Sequence, residues 1–276
     1  MTIQIRRVYP LIRLTTAVAL MTLGCSAMWA GAIVLEPIAN EFNTGRGNSS
    51  LIYGTFMIGF ALGGVVMGRL ADRMGIMIPA LIGSLALPAG FYLAAHASSI
   101  LEISLAFSLL CGFLGSSFSM APLIADISHW FNRRRGLAVG IAFSGSYVAG
   151  AIWPPILQRM FDAQGWRESF IDLALLTLIL MALLSLLLYP RPPMNEQQPE
   201  TGSVDSKSAN SLVSGGTLQS LIYLAGFGCC VAMAMPQLHI VPYVMDLGHP
   251  AIRGAEMLGL MRGFGVISRI GSGWLS

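Results

Sequence analysis

Charge is scarce in this sequence. Only 11% of the 276 residues are Asp, Glu, Lys or Arg, against roughly 25% in ordinary soluble domains, so the chain lacks the polar residues that a water-facing surface needs. Lysine is almost absent: Lys207 stands alone among sixteen basic residues. The arginines fall mostly in short loops, a pattern of membrane topology rather than of a nucleic-acid-binding face. The four cysteines, Cys25, Cys111, Cys229 and Cys230, show neither CxxC nor Cys/His spacing. Neither a disulfide framework nor a zinc site is indicated, and packing is left as their role. No GxSxG elbow, HExxH pair, Walker loop or dinucleotide GxGxxG stands in a water-facing domain. The chain therefore does not read as an enzyme and requires no bound cofactor.

What is abundant is apolar sequence, 55% of the chain. Apolar windows near 14–39, 50–71, 76–96, 100–127, 136–160, 169–190, 217–245 and 254–276 predict eight transmembrane helices in an all-α polytopic protein. The first window follows Arg6, Arg7 and Arg13, and Leu23-Gly24-Cys25 faintly resembles a lipoprotein cleavage site. It runs on to Leu35, however, long enough to span a hydrocarbon core of roughly 30 Å, and so reads as a helix that stays. Asn48-Ser49-Ser50 supplies helix-starting chemistry before the second span. Pro37, Pro79, Pro122, Pro154, Pro155 and Pro242 are placed to kink or end helices.

Placing the N-terminus in the cytoplasm puts Arg6, Arg7, Arg13, Arg69, Arg73, Arg133, Arg134, Arg135, Arg191 and Lys207 inside. It leaves Arg46, Arg159, Arg167 and Arg253 outside, as the positive-inside rule favours. Composition shifts abruptly at 191–216, where Pro, Ser, Asn, Gln and Gly replace aliphatics. That segment predicts a flexible cytoplasmic linker between a six-helix unit, 1–190, and a two-helix unit, 217–276. Gly68-Arg69-Leu70-Ala71-Asp72 aligns with Gly273-Trp274-Leu275-Ser276 at an offset of 205 residues, which suggests a tandem half-repeat. Four further helices would then be missing from the second copy.

Two loops carry a family resemblance. Gly68-Arg69-Leu70-Ala71-Asp72-Arg73-Met74-Gly75 resembles the GxLaDRxG loop of the major facilitator superfamily, here followed by Ile76, Met77 and Ile78 rather than by basic residues. His129-Trp130-Phe131-Asn132-Arg133-Arg134-Arg135-Gly136-Leu137-Ala138-Val139-Gly140 resembles the WFxxRRGlAxG loop of its monocarboxylate-type and oxalate/formate-type branch. The likeness continues through Gly145-Ser146, Gly150, Pro154-Pro155, Gly165-Trp166-Arg167 and His239-Ile240-Val241-Pro242-Tyr243. The RxxQG-like arginine and the GxxxGPxxGG pattern of drug/proton antiporters are absent. The resemblance implies a complete N-terminal bundle of the facilitator fold plus the first two helices of a second bundle. It also implies proton-coupled transport of a small organic anion, a mono- or dicarboxylate, by alternating access across the plasma (inner) membrane.

In that scheme Gly68, Asp72, Arg73 and Gly75 form a gate, with Arg133, Arg134 and Arg135 as basic partners. An Asp at a helix end can latch against basic residues or against the positive N-terminus of a neighbouring helix, and the two glycines permit close backbone approach. The pairs Gly59/Gly63, Gly64/Gly68, Gly136/Gly140 and Gly145/Ala149 read as helix-packing sites.

The eighth window contains two arginines, an arrangement costly in lipid unless they face a cavity or a partner. Arg262 and Arg269 are seven residues apart, on nearly one helical face. Arg269, four residues before Gly273, matches the helix-eight arginine that the resemblance implies holds a substrate carboxylate. A structural pairing of Arg269 with a carboxylate on another helix is the alternative. Arg262 matches no family position, so substrate contact, pairing with Glu256 and snorkelling all stay open. Gln237 and His239 lie within reach of a central cavity, where His239 is a candidate proton carrier. Glu36, Glu102, Asp126 and Asp172 fall at span ends and read as interfacial. A non-transporting membrane protein remains the second functional reading, because alternating access needs two bundles. A carrier of another substrate class is the third.

Overall fold

The computed structural model describes residues 2–131, 135–189 and 215–275, and among them no strand occurs. Lipid offers the backbone no hydrogen-bond partners, so apolar runs of this length fold as helices that satisfy their own N–H and C=O groups. The first span is interrupted twice, as α1 (Thr2–Gly24), α2 (Ser26–Ile33) and α3 (Leu35–Glu41). Then follow α4 (Arg46–Met74) and α5 (Met77–His96). The fourth span is built from α6 (Ile100–Leu105), a π-helical stretch Ala106–Ser116, a 3-10 turn Ser117–Ser119 and α7 (Ala121–Trp130). It is followed by α8 (Arg135–Gln164), α9 (Trp166–Leu186), α10 (Gly215–Asp246) and α11 (Ala251–Leu275).

Among the described residues, seven helical stretches are long and apolar enough to cross a membrane: 9–33, 47–74, 77–96, 100–130, 135–164, 166–186 and 216–246. The eighth expected span, α11, is equally long but carries Arg253, Glu256, Arg262 and Arg269, charges that set it apart from the other seven. Boundaries shift modestly from the sequence reading. Helix α4 begins at Arg46 behind an extended Gly45, so Asn48-Ser49-Ser50 lies inside the helix rather than ahead of it. Pro154, Pro155 and Pro242 lie within continuous helices rather than at their ends, as membrane helices tolerate when neighbours satisfy the freed carbonyls. Of the linker predicted at 191–216, residues 191–214 lie outside the described residues.

Successive spans alternate in direction, so the bundle has a near end, where α1 begins, and a far end, where α3 stops. Gly75, in the near-end turn between α4 and α5, has φ +86°, and Gly165, between α8 and α9 at the far end, has φ +84°. A side chain strains this backbone region, which explains glycine at both turns. The core of the six-span unit is aromatic. Phe170 of α9 packs on Phe91 at 5.5 Å, Phe107 at 5.7 Å, Phe161 at 5.9 Å and Trp166 at 5.5 Å between ring centroids. Cys25 and Cys111 are buried as packing residues, whereas Cys230 is exposed on α10.

Helix-to-helix approach is set by glycine, as packing without a hydrophobic driving force requires. A Cβ on Gly59 would overlap the Ser108 carbonyl of the π-helical stretch, and one on Gly63 would overlap the Phe113 carbonyl. Gly145 lets α8 meet α1, where an added Cβ would stand 2.7 Å from the Val18 carbonyl oxygen. Gly64 and Gly68, by contrast, have open space beside them. The close approach expected at Gly68 is therefore not made among the described residues: its face of α4 meets no neighbour there. Gly63→Leu is thus expected to destabilise the protein by about 1–3 kcal/mol through overpacking. Gly64→Leu should be nearly neutral. Thermal unfolding of both variants in one detergent distinguishes them, and equal melting temperatures would contradict the packing just described.

Candidate functional site

The near and far ends of the bundle are each tied by an arginine. At the near end Arg13 of α1 is 1% exposed and grips Asp126 of α7 bidentately, Nε to Oδ2 at 2.7 Å and Nη2 to Oδ1 at 2.8 Å. Its Nη1 donates to the Tyr9 hydroxyl at 2.9 Å and to the Leu188 carbonyl at 3.3 Å, and its guanidinium lies 4.8 Å from the Trp130 ring centre. Asp126, expected at a span end, is thus buried within the protein there, and Arg13 supplies the countercharge that its burial requires. At the far end Arg167 donates to Glu41 Oε1 at 2.7 Å and 3.0 Å and to the Ala95 carbonyl at 2.6 Å, while Trp166 Nε1 donates to Glu41 Oε2 at 2.6 Å. This contact joins α3, α5 and α9.

The second unit docks unevenly. Helix α10 buries Gln237, Val241 and Val244 toward its far end, while Leu218, Leu221, Tyr223, Leu224 and Phe227 toward its near end are exposed. Helix α11 packs along α8, with glycines on both sides of the seam. A Cβ on Gly259 would stand 2.8 Å from the Ala151 carbonyl oxygen, and one on Gly265 would overlap the Tyr147 ring.

This close packing carries Arg262 into the bundle, where it is 7% exposed. Its guanidinium carbon lies 5.2 Å from the Trp29 ring centre of α2 and 5.5 Å from the Tyr147 ring centre of α8. Its aliphatic stem crosses Gly150, where a Cβ would meet Cγ of Arg262 at 2.7 Å and Cζ2 of Trp29 at 2.6 Å. Tyr53 and Cys25 lie within electrostatic reach. No carboxylate among the described residues pairs with Arg262. Its Nε and the Nε1 of Trp29 are both buried without a hydrogen-bond acceptor. Unmet donors of this kind cost about 1–3 kcal/mol each, more when charged. Two at one contact leave a place for an acceptor-rich ligand.

The remaining sequence candidates are dispersed. Glu256, a possible partner of Arg262, instead faces Arg159 at 3.9 Å near the far end. Gln237 is buried and donates to the Met233 carbonyl of its own helix at 2.8 Å. His239 is exposed and, with Glu36, Ser49, Ser50 and Asp246, lines a far-end cavity of about 440 Å³ between α3, α4 and α10. Asp72 and Arg73 are exposed at the near end of α4, beside the Gly75 turn. Arg135 donates to Ser128 Oγ at 3.0 Å at the near end. Arg133 and Arg134 lie outside the described residues. Arg269 belongs to α11, seven residues toward the near end from Arg262, and its side chain lies outside what is described.

The pattern of the Major Facilitator Superfamily matches residues 15–276. The chain belongs to that superfamily. Human monocarboxylate transporter 11 is 31% identical over 218 residues, covering 76% of this chain and 44% of that protein. Bovine monocarboxylate transporter 13 is 28% identical over 213 residues, covering 77% and 49%. The MFS-type transporter pytF of Aspergillus terreus is 28% identical over 218 residues, covering 78% and 71%. The chain spans about half the length of the two monocarboxylate transporters. Membership in this family of non-enzymes, with seven apolar helices, makes it an integral multi-pass membrane protein and not an enzyme.

The sequence singled out Arg262 as a costly intramembrane charge but not its neighbours. Trp29 and Tyr147 are ordinary aromatics in apolar runs, and Gly150 is one of 31 glycines. A clue was present in the spacing of Tyr147 and Gly150, three residues apart and hence on one face of α8.

Proposed function

We propose that this protein carries out secondary transport of small organic anions, mono- or dicarboxylates, coupled to protons and operating by alternating access. The observation that carries the reading is the buried Arg262 beside Trp29, a fixed cation and a neutral donor that both lack acceptors. A carboxylate supplies up to four acceptor positions and the countercharge, and guanidinium can bind it through two parallel hydrogen bonds. The likeness to proteins named monocarboxylate transporters supports the same substrate class. In this scheme Arg269 receives the carboxylate and Arg262 assists. Asp72, Arg73, Arg133, Arg134 and Arg135 act at the near-end gate, where Gly75 sets the turn and Gly68 leaves free space. Gln237 lies on the opposing helix, and His239 exchanges the proton at the far end. The arginine distribution supports a cytoplasmic near end that includes the 191–216 linker.

The test is uptake of labelled carboxylates into proteoliposomes, with and without an imposed pH gradient. Saturable uptake, accelerated when the outside is acid, is the expected result. Equal uptake in protein-free liposomes would refute carriage.

A second reading, a membrane protein that binds the anion without moving it, is favoured by the exposed apolar near half of α10. Carboxylate binding without uptake would select it.

A further inference from the structure

The seam between α8 and α11 has two sides. The closed side buries Arg262, and the other opens as a groove of about 660 Å³. Its floor is small: Ala151 of α8 and Gly259 of α11 stand close, backbone to backbone, and a Cβ on Gly263 would meet nothing within 4 Å. Its walls include Ile156 of α8 and Phe264 of α11, both exposed. From Glu256 at the far-end mouth to Ile267 at the other extreme, the groove follows eleven residues of α11, about 16 Å along the helix axis. That is close to half of a hydrocarbon core of roughly 30 Å, the depth of one leaflet. A transmembrane helix needs the full span, so the length of the groove suits a single lipid tail.

The groove has two charged lining residues among the described ones, and both stand at its far-end mouth. Arg159 of α8 faces Glu256 of α11 at 3.9 Å, with side chains 71% and 43% exposed. The separation is too long for a hydrogen bond, and so exposed a pair contributes little to stability. A headgroup can therefore part the two at small cost. A headgroup of one sign would gain one of these residues and oppose the other, whereas a zwitterion gains both. Phosphate oxygens accept charge-assisted hydrogen bonds from guanidinium, and a primary ammonium donates them to carboxylate. A quaternary ammonium has no N–H to donate.

We propose that this groove is a phospholipid site, entered from the far leaflet by a lipid with an ethanolamine headgroup. Its phosphate rests on Arg159, its ammonium on Glu256, and one tail runs past Gly263 to Ile267. The lipid ties α8 of the six-span unit to α11 of the second unit. It is a structural partner on the open side of the seam, apart from the Arg262 slot and independent of what the protein carries.

The test is native mass spectrometry of the 276-residue protein in micelles, titrated with dioleoyl lipids bearing ethanolamine, choline or glycerol headgroups. The ethanolamine lipid should bind about fivefold or more tightly than the other two. Glu256→Gln should erase its advantage over the choline lipid, while Arg159→Gln should weaken both zwitterionic lipids alike, because they share the phosphate. Gly263→Leu should weaken both about tenfold or more by filling the path of the tail. In lipid-free micelles that variant should melt like the unaltered protein, since the new side chain has open space. Equal binding of the ethanolamine and choline lipids, tighter binding of the anionic glycerol lipid, or an ethanolamine preference that survives Glu256→Gln overturns the proposal. A dimer that Gly263→Leu abolishes would assign the groove to a second copy of the chain and overturn it too.

Discussion

Asp126→Ala is expected to lower the unfolding free energy by about 3–5 kcal/mol, the usual cost of stranding a buried charge. The deleted carboxylate takes two short hydrogen bonds from Arg13, whose side chain is 1% exposed and so has no route to water. Two of its other partners, the Tyr9 hydroxyl and the Leu188 carbonyl, accept hydrogen bonds but carry no charge. Removing both ions should cost much less than the single changes add up to. In Arg13→Leu/Asp126→Leu no charge is left buried, and apolar replacement of a buried pair is often neutral or better. Unfolding of the four members of this cycle in mixed micelles measures the coupling. Strict additivity would show that the pair contributes nothing beyond two separate side chains.

Arg269→Ala is expected to weaken carboxylate binding by about 2–5 kcal/mol, the range for truncating one partner of a hydrogen-bonded charge pair. Uptake should fall with it at sub-saturating substrate. Lysine should rescue poorly, because an ammonium lacks the planar fork that meets two carboxylate oxygens at once. The comparison of Arg269, Arg269→Lys and Arg269→Ala proteins by initial uptake rate and by equilibrium binding separates the two effects. Unchanged binding in the alanine variant would move the substrate contact elsewhere and leave Arg269 a structural role.

The architecture was legible because lipid imposes a coarse rule. An apolar run must be helical, and its length counts the spans. Loop chemistry did the rest, since the Gly68–Gly75 and His129–Gly140 segments combine several residue types at fixed spacing. The ties between helices were not legible. Arg13 and Asp126 are 113 residues apart, and each read plausibly as a charge at a membrane surface. Nothing local distinguishes an interfacial carboxylate from one that a distant arginine allows to be buried. The site was half visible for the same reason. Arg262 stood out because charge inside a span is expensive, whereas Trp29 gave no signal among apolar residues. Gly68 shows the converse: a motif glycine was expected to seat a neighbour, and among the described residues none stands beside it. Glycines that do seat neighbours, Gly63 and Gly150, differ from it only in what the fold brings against them.

The first span is held like the string of a bow. Arg13 fastens one end of it to α7, and Glu41 fastens the other to the start of α9. Between these anchors the helix is interrupted at Cys25 and Val34, and the Trp29 N–H reaches the Cys25 carbonyl across a long 3.4 Å. A fastened string cannot slide, but it can be plucked. With both ends tied, a displacement of Trp29, the ring against which Arg262 rests, is expected to be taken up at the two interruptions that bracket it rather than at the ties.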